Sequence, residues 1–275
     1  MISMKFFEPT KSIDVLISEG ISLAKISKYK DAISFFDKVL KTDPQSVDAL
    51  DHKGLALTNL DKNRDSISCF EKILEIDPKH VAALSNIGNA LAELGHYEQA
   101  VTSYDKALKI KPDYVASFYN KAIAKNKLGI YEEAISCLDH CLELEPQNID
   151  ALFYKGLVLG KQKKHEDALA CFDSVLKIDP QHNEVSFYRG TELAEIGRHL
   201  DAIAAFDLVL KEHPKNGNVI YAKSRSKAEI GEINDSLILL AEAISYYGKT
   251  IKNWAIKDKS FKNIKDDLRF RALVK

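Results

Sequence analysis

The sequence predicts an all-α fold, a solenoid of seven two-helix units, and three observations carry that prediction. Six of the seven prolines, Pro44, Pro78, Pro112, Pro146, Pro180 and Pro214, follow one another at a constant interval of 34 residues. Two rows of small residues keep the same interval: Gly20, Gly54, Gly88, Ala122, Gly156, Gly190 and Ser224, and, twelve positions on, Ala32, Ser66, Ala100, Ala134, Ala168, Ala202 and Ser236. Around these rows the apolar residues recur with a helical period. Val81, Leu84, Ile87, Leu91 and Leu94 make one stripe, and Ala100, Val101, Tyr104, Ala107 and Leu108 make the next. Small residues twelve apart fit two antiparallel helices that cross closely, because the crossing leaves no room for a large side chain. Proline cannot continue a helix interior, so each proline of the series ends a unit.

In chain order, an N-terminal extension 1–12 precedes units 13–46, 47–80, 81–114, 115–148, 149–182, 183–216 and 217–250, and a closing segment 251–275 follows. The first unit carries Leu16, Gly20, Ala32 and Phe36; the second Leu50, Gly54, Ser66 and Phe70; the third Leu84, Gly88, Ala100 and Tyr104. The fourth carries Phe118, Ala122 and Ala134, with Leu138 where the others place an aromatic ring. The fifth returns to Leu152, Gly156, Ala168 and Phe172, and the sixth has Gly190, Ala202 and Phe206. The seventh departs most, with Ser224, Ser236 and Leu240, and with Gly248 where a further proline would fall. Terminal repeats are commonly atypical in this way. Gly95, Gly129, Gly197 and Gly231 mark the turn between the two helices of four units, where a residue able to take a positive φ can end the first helix.

These rows resemble the tetratricopeptide repeat family over 238 of the 275 residues. The resemblance implies a right-handed α-α superhelix of seven such units with capping helices at the C-terminus. Trp254, Ala255, Asp258, Phe261, Ile264, Phe270 and Leu273 are similar to the closing segment that follows some tetratricopeptide arrays. Physically, the last unit has an apolar side that no further repeat covers. Phe6 and Phe7 are candidates for the same task at the first unit.

Composition narrows the function classes. A chain that is 45% hydrophobic and 29% charged is well able to fold, and its formal charge of -1 argues against neutralising a phosphate backbone. The charge is uneven: residues 249–275 hold nine Lys or Arg against three Asp, and the rest of the chain carries a net of -7. Cations interleaved with apolar residues and carboxylates read as a solvated helical cap, with neither a nucleic-acid nor a membrane partner expected. MISMKFF lacks the apolar run of a secretory signal and no stretch is long enough to span a bilayer, so the expected location is cytoplasmic. Cys69, Cys137, Cys141 and Cys171 lie in helical patterns, as in a reducing compartment.

The sequence carries no Gly-rich phosphate loop, paired metal-binding His motif or nucleophile elbow. Cys137 and Cys141 share a helix face beside His140, but both fall in packing rows and read as small buried hydrophobes, so neither a metal nor a cofactor is expected. His165 and His199 occupy the row that holds Tyr29, Tyr97 and Tyr131 and read as aromatic fillers with a polar tip. The chain is therefore expected not to be an enzyme.

In the family it resembles, the first helices of successive units line a concave groove that holds a partner's peptide segment. By that resemblance the groove residues are Asn86, Asn89, Tyr119, Asn120, Ile123, Phe153, Tyr154, Leu157, Phe187, Tyr188, Tyr221 and Arg225. From the fourth unit on the rows are rich in aromatic rings, whereas the second offers Asp48, Asp51 and His52. Aromatic groups with polar tips suit binding hot spots. Arg225 is placed to orient an acidic group. One subclass of the family holds the C-terminal carboxylate of heat-shock chaperones with two Lys, two Asn and one Arg. In the matching places this chain has Asp51, Leu55, Asn86, Ala116 and Asn120 in one register and Ser85, Asn89, Asn120, Asp150 and Tyr154 in the next, so the asparagines are partly there and every cation is missing. The expected function is a protein-protein interaction scaffold or adaptor that binds a peptide in the groove. The alternative is a self-associating assembly protein, and a helical-repeat RNA binder is the reading that the charge favours least.

Overall fold

The structure is a computed structural model that describes residues 12–275; Phe6 and Phe7 lie outside the described residues. It is helical throughout, with no strand among the described residues. The chain divides into two compact units, one up to Leu144 and one from Glu145. The first holds α1 (Ile13–Lys25), α2 (Tyr29–Thr42), α3 (Val47–Thr58), α4 (Asn63–Ile76), α5 (Val81–Glu93), α6 (Tyr97–Ile110), α7 (Val115–Lys127) and α8 (Tyr131–Leu144). The second holds α9 (Ile149–Lys161), α10 (His165–Ile178), α11 (Asn183–Glu195), α12 (His199–Glu212), α13 (Gly217–Glu229), α14 (Ile233–Tyr247), α15 (Lys249–Lys257), a 3-10 helix (Lys259–Ile264) and α16 (Leu268–Val274). Within each unit every odd-numbered helix up to α13 packs on the helix after it, and the second helix of a pair packs on the first helix of the next. No helix among the described residues is long and apolar enough to cross a membrane.

Local chemistry fixes where the helices begin and end. Ser12, Ser46, His80, Asn148, His182 and Asn216 are N-caps whose side chains accept a backbone N–H of the first turn. The two histidines cap through Nδ1, which places the ring proton on Nε2. At the other end of the first six pairs, the residue before proline is forced out of the helical region. Asp43, before Pro44, has φ -131° and ψ 91°, and its Oδ1 accepts the Gln45 N–H at 3.1 Å. Asp77 and Asp179 repeat that turn with Lys79 and Gln181.

All seven inner turns pass through a positive φ, including those without glycine. Gly95, Gly129, Gly197 and Gly231 have φ of 76–83°, and Ser27, Asp61 and Lys163 hold the same place at 58–59°. The turn then closes on the preceding helix, as where Lys28 N–H reaches the Leu23 carbonyl at 2.9 Å.

The two small rows meet where the helices of a pair cross. The aromatic ring of the second helix lies on the glycine of the first: an added Cβ would fall 2.5 Å from Phe36 at Gly20, 2.4 Å from Tyr104 at Gly88 and 2.6 Å from Phe206 at Gly190. Phe36, Phe70, Phe172 and Phe206 are fully buried. Serines at the crossing are satisfied across it, Ser66 Oγ donating to the Gly54 carbonyl, and Ser224 and Ser236 each donating to the other's carbonyl. Neighbouring pairs are also joined by ion pairs sixteen residues apart: Asp37 with Lys53 and Asp105 with Lys121 in the first unit, Asp173 with Arg189 and Asp207 with Lys223 in the second.

The closing segment folds onto the last pair. Ile251, Ala255, Phe261, Ile264 and Phe270 are buried in one cluster with Ile220, Tyr221, Leu237 and Leu240. Trp254, expected among the covering residues, is instead 46% exposed and meets the Tyr221 ring at 5.7 Å between centroids. The inward face of α15 belongs to Ile251 and Ala255, four residues apart, which leaves Trp254 on the flank.

Candidate functional site

The first helices of each unit lie side by side, α1, α3, α5 and α7 in one and α9, α11 and α13 in the other, so residues at one register form rows across them. In the second unit Phe153, Phe187 and Tyr188 are all half-buried, with Phe153 and Tyr188 centred 5.5 Å apart and Tyr188 and Phe187 5.4 Å apart. Each rests on the core beneath. Phe153 and Tyr188 touch the buried ring of Phe172, and Phe187 touches that of Phe206. These contacts hold the three rings in fixed places. Burial pushes the Tyr188 phenol above its usual range, with Glu184 adding to the shift. Tyr154 and Leu157 lie beside the cluster on α9, both half-buried.

A recess of about 350 Å³ opens next to Phe187 and Tyr188, lined also by Asn183, Glu184, His213 and Asn218. These polar neighbours are absent from the groove rows read in the sequence. Glu184 and Asn218 share a register with Asp150 at the start of their helices, and that spacing was the available signal.

Tyr221 and Arg225 are engaged within the chain. Tyr221 is 7% exposed, and its hydroxyl donates to Asp258 Oδ2 at 2.8 Å. Burial, followed by that contact, raises its pKa. The Arg225 guanidinium lies 2.7 Å from the same carboxylate and 3.6 Å from Glu195. The acidic group that Arg225 was expected to orient is thus supplied by the closing segment.

In the first unit the amides form a short ladder. Asn89 Oδ1 accepts from Tyr104 Oη at 2.8 Å and from Asn120 Nδ2 at 2.9 Å, and Ser117 donates to Ser85 at 3.1 Å. Asn86 hydrogen-bonds Asp51, whose carboxyl is raised above its ordinary value chiefly by burial. Tyr119 and Ile123 are half-buried on α7.

Other chemistry-bearing residues fall into packing roles. All four cysteines are buried thiols outside any disulfide, and burial pushes the Cys69 and Cys137 thiols up. His140 pairs with Glu143 and lies on the Phe118 ring. Among the described residues no group of His, Cys, Asp and Glu is placed to hold a metal ion.

Family models described as tetratricopeptide repeat match residues 47–80, 69–102, 115–148 and 149–182, and one described as TPR repeat matches 88–129. Together they run without a break from 47 to 182. No curated protein matches the chain by sequence. Among solved structures, a tetratricopeptide repeat protein from Parabacteroides merdae is 17% identical with a TM-score of 0.65, over 88% of this chain and 96% of that one. YrrB, described as a TPR protein with an unusual peptide-binding site, is 23% identical with a TM-score of 0.60, over 69% of this chain and 98% of its own. A thermophilic TPR protein of Thermus thermophilus is 18% identical with a TM-score of 0.56, over 66% and 100%. At these identities the likeness is one of fold.

Proposed function

The chain belongs to the tetratricopeptide repeat family, whose fold serves as a scaffold for contacts between proteins, and from that premise we propose that it holds an extended peptide segment of a partner on its first-helix face. The observation that carries this reading is the Phe153, Tyr188 and Phe187 cluster, three half-buried aromatic rings in which Tyr188 meets both phenylalanines and all are anchored on core rings. Such pre-set amphipathic rings bury much area at low entropic cost. Tyr154 and Leu157 extend the apolar surface, while Glu184, Asn183 and Asn218 supply polar groups at the recess beside it. Tyr221 and Arg225 take part as the end of that face, closed by Asp258. On the first unit, Asn86, Asn89, Tyr119, Asn120 and Ile123 form the corresponding face, and the amide ladder orients its members for a partner's backbone.

A photo-crosslinking residue placed at Phe187, compared with one at Leu208 on the second-helix face, tests this assignment in source lysate. Adducts to one partner from position 187 and none from 208 are expected; the reverse pattern overturns it. A second reading, self-association, draws on the apolar residues exposed on the second helices, Leu200 at 70%, Leu208 at 63% and Ile238 at 66%. Light scattering across a concentration series separates it, since a monomer at every concentration removes it.

A further inference from the structure

One contact in the second unit has a counterpart position in the next repeat where its acidic partner is replaced. His165, at the start of α10, and Glu192, in α11, lie 2.6 Å apart from Nδ1 to Oε2, with side chains 22% and 12% exposed. One interval of 34 residues on, His199 opens α12, and the residue in the register of Glu192 is Ser226 of α13. The serine side chain is too short to span that reach. His199 Nδ1 and Ser226 Oγ are both buried, and neither has a hydrogen-bond partner. With Ala194, Arg225 and Lys259 they line a cleft of about 390 Å³. Buried polar atoms are normally hydrogen-bonded, so two orphaned ones at one cleft mark a place that gains from a group able to bond both.

We propose that this cleft binds a carboxylate carried by another molecule, held by His199 Nδ1 and Ser226 Oγ, with the Lys259 ammonium on the same lining supplying charge. The His165 and Glu192 pair is the internal pattern for it, the same ring in the same register met by a carboxylate from within the chain. The fit needs one adjustment. A Cβ on Gly160 would lie 2.5 Å from Glu192 Oε1, and Ala194 stands in the register of Gly160 at the cleft, so a carboxylate here sits further out, towards Lys259. Glu195, Glu229 and Asp258 also line the cleft. Arg225 already engages Asp258 and Glu195, so Lys259 is the cation left to meet the ligand, and Glu229 sets a like charge on the same lining that the His199, Ser226 and Lys259 contacts must outweigh. Arg225 and Asp258 also close the proposed peptide face, but His199, Ser226 and Lys259 lie outside it and outside the aromatic cluster, so this site and the peptide reading are tested separately.

The test is a titration of the full chain, labelled in its histidine rings, with glutarate, and in parallel with neutral glutaramide and with cadaverine. Glutarate is expected to shift the His199 ring resonances saturably and to leave those of His165, where Glu192 is in place, nearly still. Neither control should move His199. S226A is expected to weaken the glutarate response about 10-fold or less, as the loss of one hydrogen bond does. The double variant A194G/S226E rebuilds the Gly160, Glu192 and His165 arrangement and should show the shifted His199 resonance without ligand and no glutarate response. A capped peptide with one internal glutamate, and one whose single carboxylate is its C-terminus, compete for the site and identify side chain or terminus as the source. No response at His199, an equal response at His165, or a response to cadaverine in place of glutarate overturns the proposal.

Discussion

The Phe172 ring lies so close to Gly156 that a Cβ on the glycine would fall 2.4 Å from Cε1. The same pairing of ring and glycine recurs down the chain, and it is broken on both sides together. Where the ring is replaced by Leu138 the glycine becomes Ala122, and where it is replaced by Leu240 the glycine becomes Ser224. Crossing distance is thus kept by matched volumes, as close packing demands.

Gly156→Ala is therefore expected to destabilise the protein by about 1 to 3 kcal/mol, the range for overpacking a filled site. Adding Phe172→Leu, which recreates the Ala122 and Leu138 pair, should recover about 1 kcal/mol or more of the sum of the single effects. Urea denaturation of the two single variants and the double variant checks this, and additive losses would show that ring and glycine are not coupled.

Lys163→Gly is expected to stabilise. Lys163 holds φ 59°, a conformation that costs a side-chain-bearing residue about 1 to 2 kcal/mol, against which glycine loses about 0.5 to 1 kcal/mol of chain entropy. A rise of about 0.5 to 1 kcal/mol in unfolding free energy is the expected outcome. A loss would mean that the lysine side chain contributes contacts that outweigh its backbone strain.

Asp51→Asn probes a buried carboxyl on the first-helix face. Burial raises its pKa above 3.8, and its Oδ1 has no hydrogen-bond partner. The folded state then holds the proton more tightly than the unfolded state, so the favourable contribution present below pH 3.8 is lost as pH rises through the folded value. Removing the charge should leave stability nearly unchanged at low pH and raise it at neutral pH. Thermal unfolding of both proteins across that range checks the sign.

Removal of 251–275 uncovers Tyr221, Leu237 and Leu240, which the closing segment buries. The shortened chain is expected to melt lower and to aggregate, read by light scattering and circular dichroism. Unchanged melting with a monomeric state would assign the segment another role.

The helix pairs were legible because a strict interval of 34 residues exposes small, aromatic and proline rows at once. The positive φ at Ser27, Asp61 and Lys163 was not, since none of these residue types demands it; only the neighbouring repeats' glycines point there. The N-cap row is hard to see in the sequence because His80 and His182 stand among its serines and asparagines. On the candidate site, register alone placed Phe153, Phe187 and Tyr188 on one face. It also placed Tyr221 and Arg225 there, and missed that Asp258 engages both. That contact joins a repeat to a segment outside the period, and no row records it.

Partner affinity measured with Phe153 and Phe187 both replaced by alanine is decisive for the first-helix face, provided circular dichroism shows the helices intact. If these rings are hot spots, the partner recovered by crosslinking should bind the variant about 30-fold more weakly, equivalent to about 2 kcal/mol, at matched helicity. Equal affinity for both proteins would contradict the assignment and move the interface to the second helices or the closing segment.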